Sequence, residues 1–248
     1  MSPEELLKAL AGRYLELLGA NFVGLYVHGS YAMGGFNPEK SDLDYIIVCD
    51  REPDAATKRC ILDATVAYMQ LAPAKGLEMH LMLREDCLAY RHPPRFLAHY
   101  SPAHTRAYLA DPEGYVARMQ GRDMDLAAHL TVMYARGRRV CGPEVRAVFG
   151  PVPREAYLAS ILEDMGWSES DAMYHVLNRC RTLAYVSDGR VRSKKEGALW
   201  ALENLDPRWH ALIRETLACY EGCAAPEDTS AAESFCREAL DSIRAAVS

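Results

Sequence analysis

Two aspartates stand two positions apart, Asp42 and Asp44, at the mouth of the apolar run Tyr45-Ile46-Ile47-Val48, and a third acid, Glu78, lies inside the alternating stretch LEMHLML. Ionised carboxylates this close repel one another, and burying them is costly unless a cation lies between them. Residues i and i+2 of a strand project from one face. Asp42 and Asp44 therefore point together, and Glu78 joins them if its strand lies alongside. Three hard oxygen ligands in one place make a magnesium site. Two magnesium ions held in this way clamp a triphosphate and activate an attacking hydroxyl. Upstream, Gly29-Ser30 breaks the preceding apolar run. The glycine lets the backbone approach a phosphate, and Ser30 offers both a hydroxyl and an N–H to it. Ser41 immediately precedes the aspartates. His28 and Tyr31, beside the turn, are read as packing residues. Glu85 and Asp86 are expected to lie solvated past the strand end.

The elements that must hold these groups follow from periodicity. Residues 5–18 form an amphipathic helix opened by Pro3 and two glutamates. Phe22 to His28 is a strand, 31–41 a loop by its Gly, Asn and Pro content, and 45–49 a second strand. Leu62, Val66 and Met69 mark a helix over 55–70, and Leu77 to Leu83 alternates as a third strand with a half-polar face. Residues 90–122 are rich in Pro, His, Arg and Tyr and read as a connector. From about Asp123 the pattern is helical, with candidates at 124–137, 154–165, 170–187, 193–204, 207–221 and 230–246. The fold expected is an α/β N-terminal domain, a mixed sheet with flanking helices over 1–110, followed by an all-α helical-bundle domain over 111–248.

The 248 residues are 50% hydrophobic and 25% charged, with a net charge of −6 and no long basic run. Phosphate-driven nucleic-acid binding is excluded as the chain's general mode, whereas an acidic balance suits a small cationic partner. No apolar stretch approaches the roughly 20 residues that span a bilayer, and the N-terminus lacks a basic leader and cleavage site. A cytoplasmic monomer is expected. Cysteines 49, 60, 87, 141, 180, 219, 223 and 236 are scattered. Even the C-x3-C pair Cys219 and Cys223 has no matching partner pair, so free thiols are expected rather than a disulfide framework or a zinc site.

The pattern G-S-x(10)-S-D-L-D, followed by a strand carboxylate, resembles the signature of the DNA polymerase beta-like nucleotidyltransferase superfamily. Residues 125–153 (DLAAHLTVMYARGRRVCGPEVRAVFGPVP) and 175–202 (HVLNRCRTLAYVSDGRVRSKKEGALWAL) look like the helical domain of aminoglycoside nucleotidyltransferases, and most resemble the streptomycin/spectinomycin adenylyltransferases. The resemblance runs from about residue 20 to 222. It implies magnesium-dependent AMP transfer from ATP to a drug hydroxyl, with Asp42, Asp44 and Glu78 as metal ligands and Glu78 as base. It further implies Gly29, Ser30 and Ser41 at the nucleotide, with Arg181 of LNRCR, Lys194 of VRSKK (Lys195 its rival) and Tyr220 of CYEG reaching it from the helical domain. On the drug side it implies Asp171 and Trp167, although the stretch 165–171 departs from the family pattern in length and composition. Asp125 and His129, one turn apart on a helix, are expected at the same cleft. Two rivals stay open: a nucleotidyltransferase with another acceptor, and an inactive nucleotidyltransferase-fold binding protein.

Overall fold

A computed structural model describes residues 1–222 and 229–247. It divides into two compact units, residues 1–160 and 161–248. The first unit runs α1 (Pro3–Leu18), β1 (Phe22–Val27), α2 (Gly29–Ala32), β2 (Leu43–Cys49), α3 (Ala55–Tyr68), β3 (Leu77–Leu83), α4 (Arg84–Leu88), β4 (Arg95–Phe96), β5 (Ala98–Tyr100), α5 (Thr105–Ala110), α6 (Pro112–Arg118), β6 (Gly121–Arg122), α7 (Leu126–Arg136), β7 (Arg138–Cys141), α8 (Val145–Val148) and α9 (Arg154–Glu163), whose last residues cross the division. The second holds α10 (Ala172–Asp188), α11 (Lys194–Asn204), α12 (His210–Tyr220) and α13 (Thr229–Val247).

The helix α1 starts where Ser2 and Glu5 cap each other's backbone N–H groups, with Pro3 at its first turn. Leu6, Leu10, Tyr14 and Leu18 fall one turn apart and are all buried. The main sheet is mixed, in the order β5-β3-β2-β1-β7. Only β2 and β3 run parallel, joined by the crossover helix α3; the pairs β1–β2, β3–β5 and β1–β7 are antiparallel. Helices and loops cover both faces, so β2 and β3 are apolar on both sides rather than cleanly alternating. Leu43, Tyr45, Ile47 and Cys49 face one core with α1 and α3. Ile46, Val48 and Met82 face another, with Leu126, Leu130 and Met133 of α7. Tyr14, Tyr45 and Thr65 share hydroxyl hydrogen bonds of 2.8 Å that pin α1 and α3 to β2.

This architecture moves the expected boundary. The sequence places the change of domain at 110/111, whereas the compact units divide at 160/161. Residues 138–141, expected to be helical or connecting, form β7, the antiparallel neighbour of β1. Helical spacing in α7 marks a buried stripe without naming its partner, and the partner is the sheet. Two smaller readings also change. β1 stops at Val27, one residue short of the expected His28, which is instead the N-cap of the short helix α2 where the Gly29-Ser30 turn is expected, and Asp86 is buried rather than solvated.

Among its described residues the second unit is all helical, as expected. Its core gathers Val176, Leu177 and Cys180 of α10 with Ala198, Ala201, Ile213, Phe235 and Ala239. The helix α11 begins with a Ser193–Glu196 capping box and touches α10 closely: a Cβ on Gly197 would lie 2.5 Å from the Arg181 Cα. Arg179, 2% exposed, donates to the carbonyls of Cys236, His175, Met165 and Gly166. Arg179→Met removes these bonds and should destabilise the helical unit by roughly 3 kcal/mol, since bonds to a charged donor contribute about 1.5–3 kcal/mol. Urea unfolding followed by circular dichroism checks this, with a much smaller loss expected for Arg181→Met. Among the described residues no helix is long and apolar enough to cross a membrane. The cysteines at 49, 60, 87, 141, 180, 219 and 236 are free thiols, and Cys223 lies outside the described residues.

Candidate active site

Register brings the acids together. In the parallel β2–β3 pair, Asp44 stands directly opposite Glu78, and Ile46 opposite His80. Side chains at paired positions share a face, so both carboxylates project on the side covered by α7, with Asp42 two residues before Asp44. Carboxylate oxygens of Asp42, Asp44 and Glu78 all lie within 4.8 Å of one another, and all three residues are partly buried. Burial lifts the Glu78 carboxyl above its ordinary value, with added repulsion from Asp42, Asp125 and Asp123 and against the opposing pull of His129. A hard, all-oxygen, mutually repelling set of this kind fits magnesium.

The turn beside it is built for close approach. The His28 N–H donates to the Asp44 carbonyl at 3.0 Å, carrying the β1–β2 ladder one step past β1. Gly29 then turns with φ +60°, and a Cβ there would lie 1.8 Å from the Asp44 Oδ2. Only glycine fits both the dihedral and the space. The Ser30 Oγ is buried and meets no hydrogen-bond partner among the described residues. Ser41 is buried and accepts the Asn37 N–H at 3.1 Å, while its own N–H donates to the Asn37 carbonyl. Its evident work is to close the loop that delivers Asp42.

Histidines gather around the acids; the sequence reading named His28, as packing, and His129, with Asp125, but missed His80, His99 and His104 as members of the group. His80 and His99, paired across β3 and β5, stack with ring centroids 4.1 Å apart. His129 of α7 meets His28 at 5.0 Å and His80 at 5.5 Å, edge to face, and His104 lies 5.1 Å from His99. These residues are scattered over a hundred positions, so no local spacing announces them; only the alternation of β3, which puts His80 on the Glu78 face, was available as a signal. The structure thus sets Asp125 and His129 close to Glu78, with the His129 Nε2 3.1 Å from the Asp125 Oδ2.

Their charges diverge. For His129, burial opposes protonation, yet the hydrogen bond to Asp125 and the carboxylates of Glu78, Asp125 and Asp44 outweigh it and bring it up to about 9. Burial, reinforced by His104, holds His99 down to about 4, and burial takes His80 and His28 well below the ordinary range. In metal-free protein, NMR titration of the rings should find His129 protonated up to about pH 9 and His99 neutral down to about pH 4. The signs for stability follow by linkage. The His129 contribution is complete below its ordinary 6.5 and lost as pH rises through about 9. For His99 the unfolded chain binds more protons between 6.5 and about 4, so stability falls as pH falls through that window. Asp125→Asn should lower the His129 titration and flatten the alkaline arm of a thermal-midpoint profile recorded in chelator.

In the helical unit, the Lys194 Nζ lies 4.5 Å from the Tyr174 ring centroid and 6.0 Å from that of Tyr220. Lys195 instead pairs with Glu221. Arg181 is half-buried on α10, against Gly197. Asp171 is exposed at the head of α10, where the Ser168 and Ser170 hydroxyls donate to its Oδ2 at 3.4 and 3.1 Å. Trp167 lies 5.6 Å from the His175 ring and packs on the helical core.

Residues 147–244 match the family model described as the aminoglycoside adenylyltransferase C-terminal domain. Among curated proteins, the chain is 23% identical over 220 residues to proteins named aminoglycoside (3'') (9) adenylyltransferase from Klebsiella pneumoniae and from Escherichia coli. Each match covers 85% of this chain and 81% of the relative. Among solved structures, the fold is similar to that of the spectinomycin adenyltransferase AAD(9) from Enterococcus faecialis with ATP and spectinomycin. The TM-score is 0.79 at 16% identity, over 98% of this chain and all of the other.

Proposed function

We propose that this chain, whose residues 147–244 match the family model described as the aminoglycoside adenylyltransferase C-terminal domain, transfers AMP from ATP to a hydroxyl of an aminocyclitol antibiotic, streptomycin or spectinomycin, and releases pyrophosphate. The observation that carries this reading is the meeting of Asp42, Asp44 and Glu78 beside the Gly29-Ser30 turn.

In this reading Asp42, Asp44 and Glu78 hold magnesium, which when bound supplies positive charge against the triphosphate. Gly29 lets the turn close on Asp44, and the Ser30 hydroxyl, without a partner among the described residues, donates to a phosphate oxygen. Glu78, already inclined to accept a proton, takes it from the drug hydroxyl as that oxygen attacks the α-phosphorus. The bond to pyrophosphate breaks in line, and the leaving oxygen keeps the electron pair. Arg181, Lys194 and Tyr220 are assigned to the nucleotide. The Tyr174 and Tyr220 rings that flank the Lys194 ammonium at 4.5 and 6.0 Å support its assignment. Asp171 and Trp167 are assigned to the drug's cationic groups, as exposed acid and flat wall. Asp125 and His129 largely neutralise one another, so their place at the acceptor is one of orientation: the His129 Nδ1, without a partner among the described residues, is the donor left over for a hydroxyl.

The test is pyrophosphate release from Mg-ATP with a panel of aminocyclitols, followed by mass spectrometry of the drug. Drug-dependent release with an added AMP on streptomycin or spectinomycin supports the reading. Thermal stabilisation by drug without turnover favours the binding protein, and turnover with another class of hydroxyl favours another acceptor.

A further inference from the structure

Glu78 belongs to a second group of potential ligands. One ligand atom each from Glu78, His80 and His99 also falls within 4.8 Å of the others. The arrangement follows from the sheet. Glu78 and His80 are i and i+2 on β3, and His99 is directly opposite His80 on β5, so all three side chains leave one face.

We propose that Glu78, His80 and His99 form a nitrogen-bearing site for a divalent transition ion, zinc or cobalt, that overlaps the all-oxygen site at Glu78. The donor set is two imidazoles and one carboxylate, which suits borderline ions far better than magnesium. His80 is 3% exposed, and its Nδ1 has no partner among the described residues, a buried acceptor or donor awaiting one. The His99 Nδ1 lies 3.1 Å from the Met79 carbonyl. A neutral ring there donates its Nδ1–H and is left with its Nε2 lone pair, the backing that metal-bound histidines commonly have. The one rearrangement required is local: the rings, stacked at 22°, must splay for both lone pairs to meet on one ion. Since Glu78 serves both groups, an ion held by the histidines competes with the oxygen site for this carboxylate. The inference concerns ion binding alone and stands whatever hydroxyl the enzyme modifies.

The experiment uses the full chain, stripped of metal. Cobalt is titrated and followed by its visible ligand-field absorption, and zinc affinity is measured by competition with a chromophoric chelator. The wild type is expected to bind one cobalt with the spectrum of a mixed nitrogen–oxygen site. His80→Gln and His99→Gln should each weaken zinc about tenfold or more, the scale on which donor sets fail when a member or its support is lost. Asp42→Asn, which removes only an oxygen-site ligand, should leave zinc and the cobalt spectrum unchanged. Should buried His80→Gln lose its native circular dichroism, the more exposed His99→Gln decides. Zinc affinity unchanged in a folded His99→Gln, or lost equally in Asp42→Asn, overturns the proposal.

Discussion

Exchanging Glu78 for Gln is expected to cut the turnover number for AMP transfer about 10²- to 10⁴-fold, the range that loss of a positioned general base brings. The amide matches the carboxylate in shape, so the β2–β3 register and the surrounding core should persist. What disappears is a proton acceptor that burial and its acidic neighbours have made more basic than an ordinary glutamate. Single-turnover transfer at saturating ATP and drug isolates that step from binding. Retained turnover in a folded Glu78→Gln protein would place the base elsewhere and leave Glu78 as a cation ligand only.

Gly29→Ala should separate activity from stability. A methyl group at this position would sit 1.8 Å from the Asp44 Oδ2 and 2.7 Å from its Cγ, so the carboxylate must move. Misplacement of a reacting group by about 1 Å costs about 10²-fold in rate. The backbone cost is small by comparison, about 1–2 kcal/mol for a side chain held at positive φ. Gly34→Ala is the matched control, because Gly34 has φ +75° but nothing within 4 Å of its Cβ position. Both variants should melt somewhat early; only Gly29→Ala should also lose AMP transfer by two orders of magnitude or so. Equal activities in the two would mean that Asp44 has room to shift without consequence.

How far the sequence discloses this site depends on the range of the interactions. Asp42, Asp44 and the Gly29-Ser30 turn are near neighbours in the chain, and the two-residue period of a strand fixes their common direction. Glu78 needed one further step, the adjacency of β2 and β3, which the intervening helix α3 made a natural parallel pair. The histidines need the whole topology: His99 reaches His80 only because β5 returns beside β3, and His129 arrives on a helix that covers the sheet. The strand β7 stayed hidden for a different reason. Its four residues, Arg138 to Cys141, include two exposed arginines at a sheet edge, so they carry too little alternation to stand out. With β7 unseen, the segment 111–160 was grouped with the helices that follow it.

That late edge has a consequence for biosynthesis. The carboxylate face of β2 and β3 is roofed by residues that run as far as Phe149, and the outer neighbour of β1 is not made until residue 141. A nascent polypeptide therefore holds β2 and β3 complete but unroofed from residue 83 until residue 149, roughly a quarter of translation. Stretches such as YIIVC are the sort that chaperones shield during such a wait. Slowing elongation just before codon 126 should accordingly raise chaperone occupancy on the nascent chain, and slowing it after codon 160 should not.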